Sequence, residues 1–175
     1  LNKYIASSGL CSRRKADELI ENGSVMVNGK IITELGFIVN EKDKVFVDKK
    51  LIHPQKHEYY RFYKPAGYIT TCDDEKGRKT IYDLLPDNFA GLKPVGRLDK
   101  DSTGLLILTN DGDLINELTH PSIKVPKVYM VTVNSPVKKS ELEQMANGIE
   151  IEPKKIAYAD IEVLVLDNSH TEMRI

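Results

Sequence analysis

The chain has 175 residues, of which 41% are hydrophobic and 29% charged, a mix typical of one or two small globular domains. Its formal net charge of −1 excludes a protein that binds nucleic acid through bulk positive charge. Cys11 and Cys72 stand far apart and match no metal or redox spacing, which excludes a disulfide-stabilised scaffold. The first residues, LNKYIASSGL, lack a long apolar stretch, so we predict a cytoplasmic protein that does not bind membranes.

The first part of the chain, residues 1–50, predicts two short helices, a hairpin and a further strand. Ser12 is placed to cap the second helix, and Gly23 follows its apolar face as a C-terminal glycine would. The Asn-Gly pair at 28–29 separates two short apolar runs and predicts a hairpin turn. The alternation around residues 45–47 predicts another strand. We therefore expect a compact domain over residues 1–50.

The remainder of the chain divides at a polar segment. Residues 51–58 contain a proline and few apolar side chains, so we predict a linker there. We expect the first domain to move, because we expect few contacts between it and the second domain. In the second domain, 59–175, we predict strands at 60–63, 67–70, 105–109, 128–133 and 156–166, and helices beginning at Asp111 and at Ser135-Pro136. The run at 105–109 is continuously apolar, which predicts burial on both faces.

Cations occupy the first turn of the second predicted helix. Arg13, Arg14 and Lys15 follow Ser12 there, although the helix dipole disfavours positive charge at this end by about 0.3–1 kcal/mol each. Nearby phosphate would reverse that preference, because helix N-termini and basic side chains both favour anions. Lys3 could join the same patch. The pattern fits either an RNA-binding surface or a merely solvated helix start.

The sequence GRLDKDSTG at 96–104 is the second chemical signal. If this segment is extended, Arg97 and Asp99 point to the same face, and the arginine would keep the carboxylate ionised. An ionised carboxylate beside a cleft is a possible nucleophile, but an aspartate in a tight turn is the simpler explanation. The run only partly matches a calcium-binding loop, since Asn110 stands where a bidentate glutamate is needed. The scattered histidines suggest no metal site either.

Longer motifs connect these signals to a known family. LNKYIASSGLCSRRKADELIENGSVMVNG resembles the S-four-type RNA-binding domain, a module of two helices and a hairpin. YKPAGYITT at 63–71, GRLDKDSTGLLILTNDG at 96–112 and KVYMVTV at 127–133 resemble the RsuA/RluB-type rRNA pseudouridine synthases. The resemblance covers nearly the whole chain, and the long GRLD motif is the most specific part of it.

The resemblance implies roles for particular residues. Asp99 would be the catalytic aspartate that attacks the uridine, and Tyr129 would stack on the flipped base and help move its proton. Arg97 would be the arginine beside the catalytic aspartate, where it would make either a substrate contact or a structural one; we assign it to substrate binding. Lys64 and Pro65 match the first motif, for which we expect a mainly structural role. The isomerisation is redox-neutral and uses no nucleotide energy, so we predict no cofactor and no metal.

Two further expectations follow from the resemblance. The family carries a later motif with a basic residue that pairs with the aspartate; we do not find it here, so we expect a C-terminally incomplete catalytic domain. GRKTIYDLLP at 77–86 and LTHPS at 118–122 are more similar to the branch acting on large-subunit (23S) than on small-subunit (16S) rRNA. Because the later motif is not found, the resemblance does not decide whether these 175 residues alone are active.

The sequence thus predicts an α+β protein. A small helix-helix-hairpin RNA-binding domain would precede a pseudouridine synthase domain built on a mixed, largely antiparallel sheet. We predict a monomeric enzyme that isomerises a specific uridine in ribosomal RNA, using Asp99. The alternative is a non-catalytic RNA-binding or ribosome-assembly protein, in which Asp99 would only shape a turn.

Overall fold

The structure, a computed structural model, describes residues 1–72, 74–123 and 125–175. It divides into two compact units, Leu1–Lys124 and Val125–Ile175. Throughout the described residues, neighbouring strands pair antiparallel, and an isolated bridge between Ile69 and Thr80 is parallel. The predicted α+β class, with largely antiparallel sheets, is confirmed.

The described residues of the first unit form two sheets and three α-helices. Its elements are α1 (Asn2–Ser7), α2 (Arg13–Glu21), β1 (Val25–Val27), β2 (Lys30–Ile31), β3 (Val45–Val47), β4 (Lys50–Ile52), β5 (Tyr59–Lys64), β6 (Lys93–Pro94), β7 (Gly104–Thr109) and α3 (Gly112–Thr119). Two 3₁₀ helices, Ile81–Leu84 and Asp87–Phe89, lie between β5 and β6 and are absent from the sequence-based prediction. The sheets have the orders β2-β1-β3-β4 and β5-β7-β6.

The helix start and the hairpin form where the sequence predicts them. Ser12 caps α2, and its Oγ accepts a hydrogen bond of 3.2 Å from the backbone N–H of Lys15. Asn28 and Gly29 join β1 to β2 with φ angles of 49° and 83°, as a type I′ turn requires. Local chemistry therefore determines both features.

Helices α1 and α2 cover one face of the first sheet. Val25 pairs with Val47 and Val27 with Val45, which places alternate valines of two strands on the same side. The buried residues of this core are Ile5, Ala16, Ile20, Val25, Val27, Val45 and Val47. Each aliphatic side chain contributes about 1.5–3 kcal/mol when it leaves water, so this cluster is a strong source of stability.

The central strand β7 carries the second core of the unit. Leu106 and Leu108 are buried with Ile81 and Leu92, whereas Leu105 on the other face is 65% exposed. The prediction of burial on both faces is therefore wrong for β7. It assumed the environment of a parallel sheet, but this sheet is antiparallel, a type that commonly leaves one face to solvent.

The strand predicted at 67–70 is also wrong. Only Ile69 forms a bridge there, and the next residue, Thr70, instead bonds through its side chain to the backbone of Leu98. This side-chain contact connects two loops, and such a contact leaves no trace in the alternation of apolar residues.

The segment predicted as a linker is hydrogen-bonded to residues on both sides of it. Its first residues belong to β4, and Gln55 donates a backbone hydrogen bond of 2.8 Å to Ser7. Farther along, the Glu58 N–H donates to Asn110 Oδ1 at 2.9 Å, and Asn110 Nδ2 donates to the carbonyl of Lys56 at 3.0 Å. The domain boundaries 1–50, 51–58 and 59–175 and the mobility of the first domain stay predictions.

The second unit consists of a three-stranded sheet, a hairpin and a helix. Its elements are β8 (Met130–Val133), α4 (Lys139–Asn147), β9 (Ile149–Glu152), β10 (Lys155–Ala157), β11 (Glu162–Leu166) and β12 (Thr171–Arg174). The sheet has the order β11-β12-β8, and β9 pairs with β10. None of the helices in the described part of the chain has the length and apolarity that a bilayer crossing requires.

Two predicted elements of this unit need correction. The single strand at 156–166 is wrong, because β10 turns back on β9 whereas β11 pairs with β12. The helix expected from Ser135-Pro136 begins only at Lys139, since the Glu141 carboxylate accepts from the Lys138 N–H at 2.8 Å and fixes the start there. Gly148 follows the end of α4, as predicted.

Candidate active site

A buried lysine organises the loop that contains Asp99. Lys64, the last residue of β5, has no exposed surface, and its Nζ lies 2.7–3.1 Å from four backbone carbonyl oxygens. Those oxygens belong to Pro65, Asp99, Lys100 and Ser102. A charged donor in the interior is stable only when such partners replace its water. Lys64 therefore ties the loop to the end of β5, which agrees with the structural role expected for it.

A second anchor holds the residue between Arg97 and Asp99. Thr70 Oγ1 donates to the Leu98 carbonyl at 2.8 Å and accepts from the Leu98 N–H at 3.3 Å. Leu98 is half-buried, while the residues on either side of it are exposed. Arg97 and Asp99 are therefore exposed on either side of an anchored residue.

Arg97 and Asp99 line one polar cavity of about 290 Å³ in the first unit. Lys100, Thr70 and Leu98 line it too. Among the described residues, no ion pair joins the Arg97 guanidinium to the Asp99 carboxylate. Both charged groups are instead available to a ligand in the cavity.

The sequence analysis missed two residues of this cavity, Asp74 and Arg78. Arg78 Nη2 donates to Asp74 Oδ1 at 2.6 Å, and the Arg78 backbone N–H donates to Asp74 Oδ2 at 2.6 Å. The side-chain hydrogen bonds from Arg78 are the largest cause that lowers the pKa of Asp74. Opposite charges four residues apart are a recognisable signal, but it is normally interpreted on helices, and this segment is a loop.

With this geometry in hand, comparison with known proteins identifies the family. A family model described as RNA pseudouridylate synthase matches residues 58–174, which is more than half of the chain and includes the whole cavity. The chain belongs to this family. A model described as S4 domain matches residues 1–45, in agreement with the resemblance of the first domain.

Individual relatives agree with the family assignment. The ribosomal large subunit pseudouridine synthase B of Bacillus subtilis is 42% identical over 167 residues, which cover 95% of this chain and 68% of the relative. An uncharacterised RNA pseudouridine synthase of Aquifex aeolicus is 42% identical over 177 residues, covering 100% and 71%. The dual-specificity RNA pseudouridine synthase RluF of Escherichia coli is 42% identical over 154 residues, covering 86% of this chain and 52% of RluF.

A solved structure supports the fold as well. The crystal structure of a pseudouridylate synthase superposes with a TM-score of 0.61 and 29% identity, covering 100% of this chain and 76% of that one. The pseudouridine synthase fold predicted from the motifs is therefore confirmed.

The tyrosine that the family resemblance singles out lies in the second unit. Tyr129 directly precedes β8, and its backbone exchanges hydrogen bonds of 2.8 and 2.9 Å with Ile175. Its side chain is 45% exposed and lines a cavity of about 560 Å³ within that unit, together with Tyr158 and Arg174. An aromatic ring at the wall of an open cavity can offer a stacking surface.

The basic helix start is exposed, but two of its predicted members have partners within the chain. Arg13 and Arg14 are exposed at the first turn of α2. Lys15 Nζ pairs with Glu18 at 2.7 Å, and Lys3 Nζ donates to both carboxylate oxygens of Asp113 at 2.7 and 2.6 Å. Lys3 therefore forms an ion pair with α3 in this state.

Acidic and histidine side chains are not clustered as metal ligands in the part of the chain that the structure describes. There, no group of three or more His, Cys, Asp or Glu side chains is arranged to hold an ion. Asp111 instead caps α3 by accepting from the N–H groups of Asp113 and Leu114 at 3.0 and 3.1 Å.

Proposed function

We propose that this protein converts a uridine of large-subunit ribosomal RNA to pseudouridine, and that Asp99 is the carboxylate that attacks the uridine. Membership of the RNA pseudouridylate synthase family supports the reaction type, and the name of the Bacillus subtilis relative supports the large subunit. The observation that carries the role of Asp99 is its location in a polar cavity, on a loop bound to buried Lys64.

The reaction suits a single carboxylate in a polar cavity. The bond between ribose C1′ and uracil N1 breaks, the base turns, and C1′ bonds to C5, which loses a proton while N1 gains one. Atoms and charge balance without an oxidant or reductant. A nucleophile that holds the ribose or the base during the turn prevents loss of the base to water. The target uridine must leave its stack before Asp99 can reach it.

The other site residues have supporting roles in this proposal. Arg97 contacts the substrate beside Asp99, where its fixed positive charge stabilises a phosphate or a developing negative charge on the base. Tyr129 stacks on the flipped base and assists its proton transfer; the match of KVYMVTV to the family motif supports this assignment. Neither role involves a cofactor.

The first domain holds the RNA in place in this proposal. The S4 match and the exposed cations at the start of α2 support a phosphate-binding surface made by Ser12, Arg13, Arg14 and Lys15, with Lys3 beside it. Lys3 would have to leave Asp113 to take part. The protein would act as a monomer in the cytoplasm, where ribosomal RNA is available.

Tritium release from ribosomal RNA labelled at uridine C5 tests the proposal. We expect the wild-type protein to release tritium from large-subunit RNA, and Asp99→Asn to lower the rate at least about 10³-fold, because the asparagine cannot act as the nucleophile. Asp101→Asn is the matched control, since Asp101 is also exposed but does not line the cavity. It should keep the wild-type rate.

A binding measurement separates the enzyme from the alternative of an RNA-binding protein. Asp99→Asn should bind the RNA as the wild-type protein does. If neither protein releases tritium from either subunit's RNA while both bind it, the synthase proposal fails. Release from small-subunit RNA alone would contradict the proposed substrate and leave the role of Asp99 intact.

A further inference from the structure

The cavity of Asp99 contains an arginine to which the family motifs assign no role. Arg78 follows a tight turn in which the Gly77 N–H donates to the Asp74 carbonyl at 3.1 Å. Gly77 has a φ of +65°, a conformation that favours glycine. The turn brings the Arg78 side chain back to the carboxylate of Asp74, and both side chains line the cavity.

The Asp74 carboxylate holds Arg78 in a defined orientation. Asp74 has a side chain only 6% exposed, and it accepts from Nε at 3.1 Å and from Nη2 at 2.6 Å. A guanidinium has five N–H donors, and this pair uses two of them. Arg78 is 55% exposed and retains three donors that the pair does not use. An arginine held in this way resembles a prepared binding group more than a simple loop contact.

A short chain of hydrogen bonds connects Arg78 to the segment of Asp99. The residue after Arg78, Lys79, accepts from the Ile69 N–H at 2.9 Å, and Ile69 accepts from Ile81 at 3.0 Å. Ile69 precedes Thr70, whose hydroxyl bonds to both the N–H and the carbonyl of Leu98. A ligand group held by Arg78 would therefore be fixed with respect to the carboxylate of Asp99, which follows Leu98.

The charges of the cavity favour an anion. Arg78, Arg97 and Lys100 line it against the carboxylates of Asp74 and Asp99, and Asp74 is already paired. An RNA strand carries a phosphate on each side of every nucleotide, and arginine forks match phosphate oxygens well. The cavity, of about 290 Å³, is at the lower end of sizes typical of ligand sites, so phosphates would lie at its edge.

We propose that Arg78 is a substrate-positioning residue that binds a backbone phosphate next to the target uridine, and that Asp74 orients it. The proposal rests on the proposed function, since it takes RNA as the ligand. It assigns a purpose to a loop that the sequence presents only as a charged connection. The competing explanation is that the Asp74–Arg78 pair only stabilises the loop.

Salt-dependent binding of a fluorescein-labelled, single-stranded RNA heptamer with a central uridine separates the two explanations. We expect Arg78→Gln to weaken binding about tenfold, the loss of one charge-assisted contact. The slope of log Kd against log salt concentration should fall by about 0.7, because one phosphate contact is gone. Arg78→Lys should keep the slope and restore part of the affinity. Asp74→Asn should weaken binding about threefold without changing the slope.

Lys76→Gln is the matched control, because Lys76 lies in the same loop, is exposed, and does not line the cavity. It should bind the heptamer with the wild-type Kd and slope. If Arg78→Gln lowers only the Tm, with Kd and slope unchanged, or if Lys76→Gln weakens binding equally, the proposal is wrong. Should Arg78→Gln not fold, the double variant Asp74→Asn/Arg78→Gln removes the buried carboxylate as well and is judged by the same slope.

Binding of the heptamer can be measured and interpreted separately from tritium release. Weaker heptamer binding by Arg78→Gln, in a wild-type protein that releases no tritium from any ribosomal RNA, would support the phosphate contact and reject the synthase. With an active wild-type protein, Arg78→Gln should raise KM for large-subunit RNA more than it lowers kcat, while Asp99→Asn lowers kcat.

Discussion

The start of α2 and the loop of Asp99 both present cations to solvent, but they hold them differently. At the helix start, Arg13 and Arg14 stand on an exposed turn whose geometry depends on one side chain, that of Ser12. At the loop, Arg97 flanks a segment held by the fully buried ammonium of Lys64 and by Thr70. The first surface is a local feature of nine helical residues. The second depends on contacts between residues far apart in the chain.

This difference suggests a division of labour. Exposed cations on a helix can follow an RNA backbone without fixing any atom closely, which suits a surface that binds phosphates. In the proposed function Asp99 is the nucleophile, and a nucleophile needs its partner within reach and in a fixed orientation, which a rigid loop provides. The contrast predicts that damage to the loop costs both stability and turnover, whereas damage to the helix start costs a little stability and some RNA affinity.

The largest effect should come from Lys64→Met. Methionine fills a similar volume but leaves the four carbonyl oxygens around Nζ without their donor. We expect the free energy of unfolding to fall by about 3 kcal/mol, measured by urea denaturation, because buried acceptors lose a charged hydrogen-bond partner. Pseudouridine formation should fall in the fraction that remains folded, since the Asp99 loop loses its anchor.

Lys76→Met provides the comparison for this variant. Lys76 is exposed, so its substitution should change the free energy of unfolding by no more than about 0.5 kcal/mol. Equal stabilities for Lys64→Met and Lys76→Met would mean that water replaces the ammonium at little cost. The loop would then not depend on Lys64, and the contrast between the two regions would disappear.

The same division explains what could be predicted from the sequence. The cap at Ser12, the Asn28–Gly29 turn and the cap at Asp111 follow from residues within a few positions of each other, and all three form as predicted. The place of Asp99 could be predicted because the long GRLD motif is specific. In each case, the relevant information lies in one short stretch of sequence.

Contacts over long sequence separations could not be predicted. The bond of Thr70 to Leu98 spans 28 residues, and that of Lys64 to Ser102 spans 38. Neither changes the periodicity of its own segment, so residues 67–70 seemed to be an ordinary strand. The Asp74–Arg78 pair is close in sequence, but its importance depends on the cavity, which only the folded chain defines.

A smaller effect is expected at the helix start. Ser12→Ala removes the oxygen that accepts from the Lys15 N–H, so the free energy of unfolding should fall by about 1 kcal/mol. Ser12→Asp should restore this stability, because aspartate is an equally good cap and its charge favours the helix N-terminus. Titration with ribosomal RNA separates capping from RNA binding: the alanine variant, which loses the hydroxyl but no charge, should bind slightly more weakly than wild type. The aspartate variant should bind much more weakly, because its carboxylate repels phosphate. If both variants bind the RNA with wild-type affinity, the RNA does not contact the start of α2.

The smallest effect should be a pH dependence that distinguishes two ion pairs, one from each region. Hydrogen bonds from Arg78 lower the pKa of Asp74 in the folded state, so this pair contributes stability above the carboxyl's unfolded pKa of about 3.9. That contribution is lost as pH falls through the lower, folded value. The Tm difference between wild type and Asp74→Asn should therefore be largest near neutral pH and shrink below about pH 4. Glu18→Gln removes the exposed pair with Lys15 and should shift the Tm little at any pH, because solvent screens it. A constant Tm difference for Asp74→Asn from pH 7 to pH 3 would show that its carboxylate charge does not stabilise the loop.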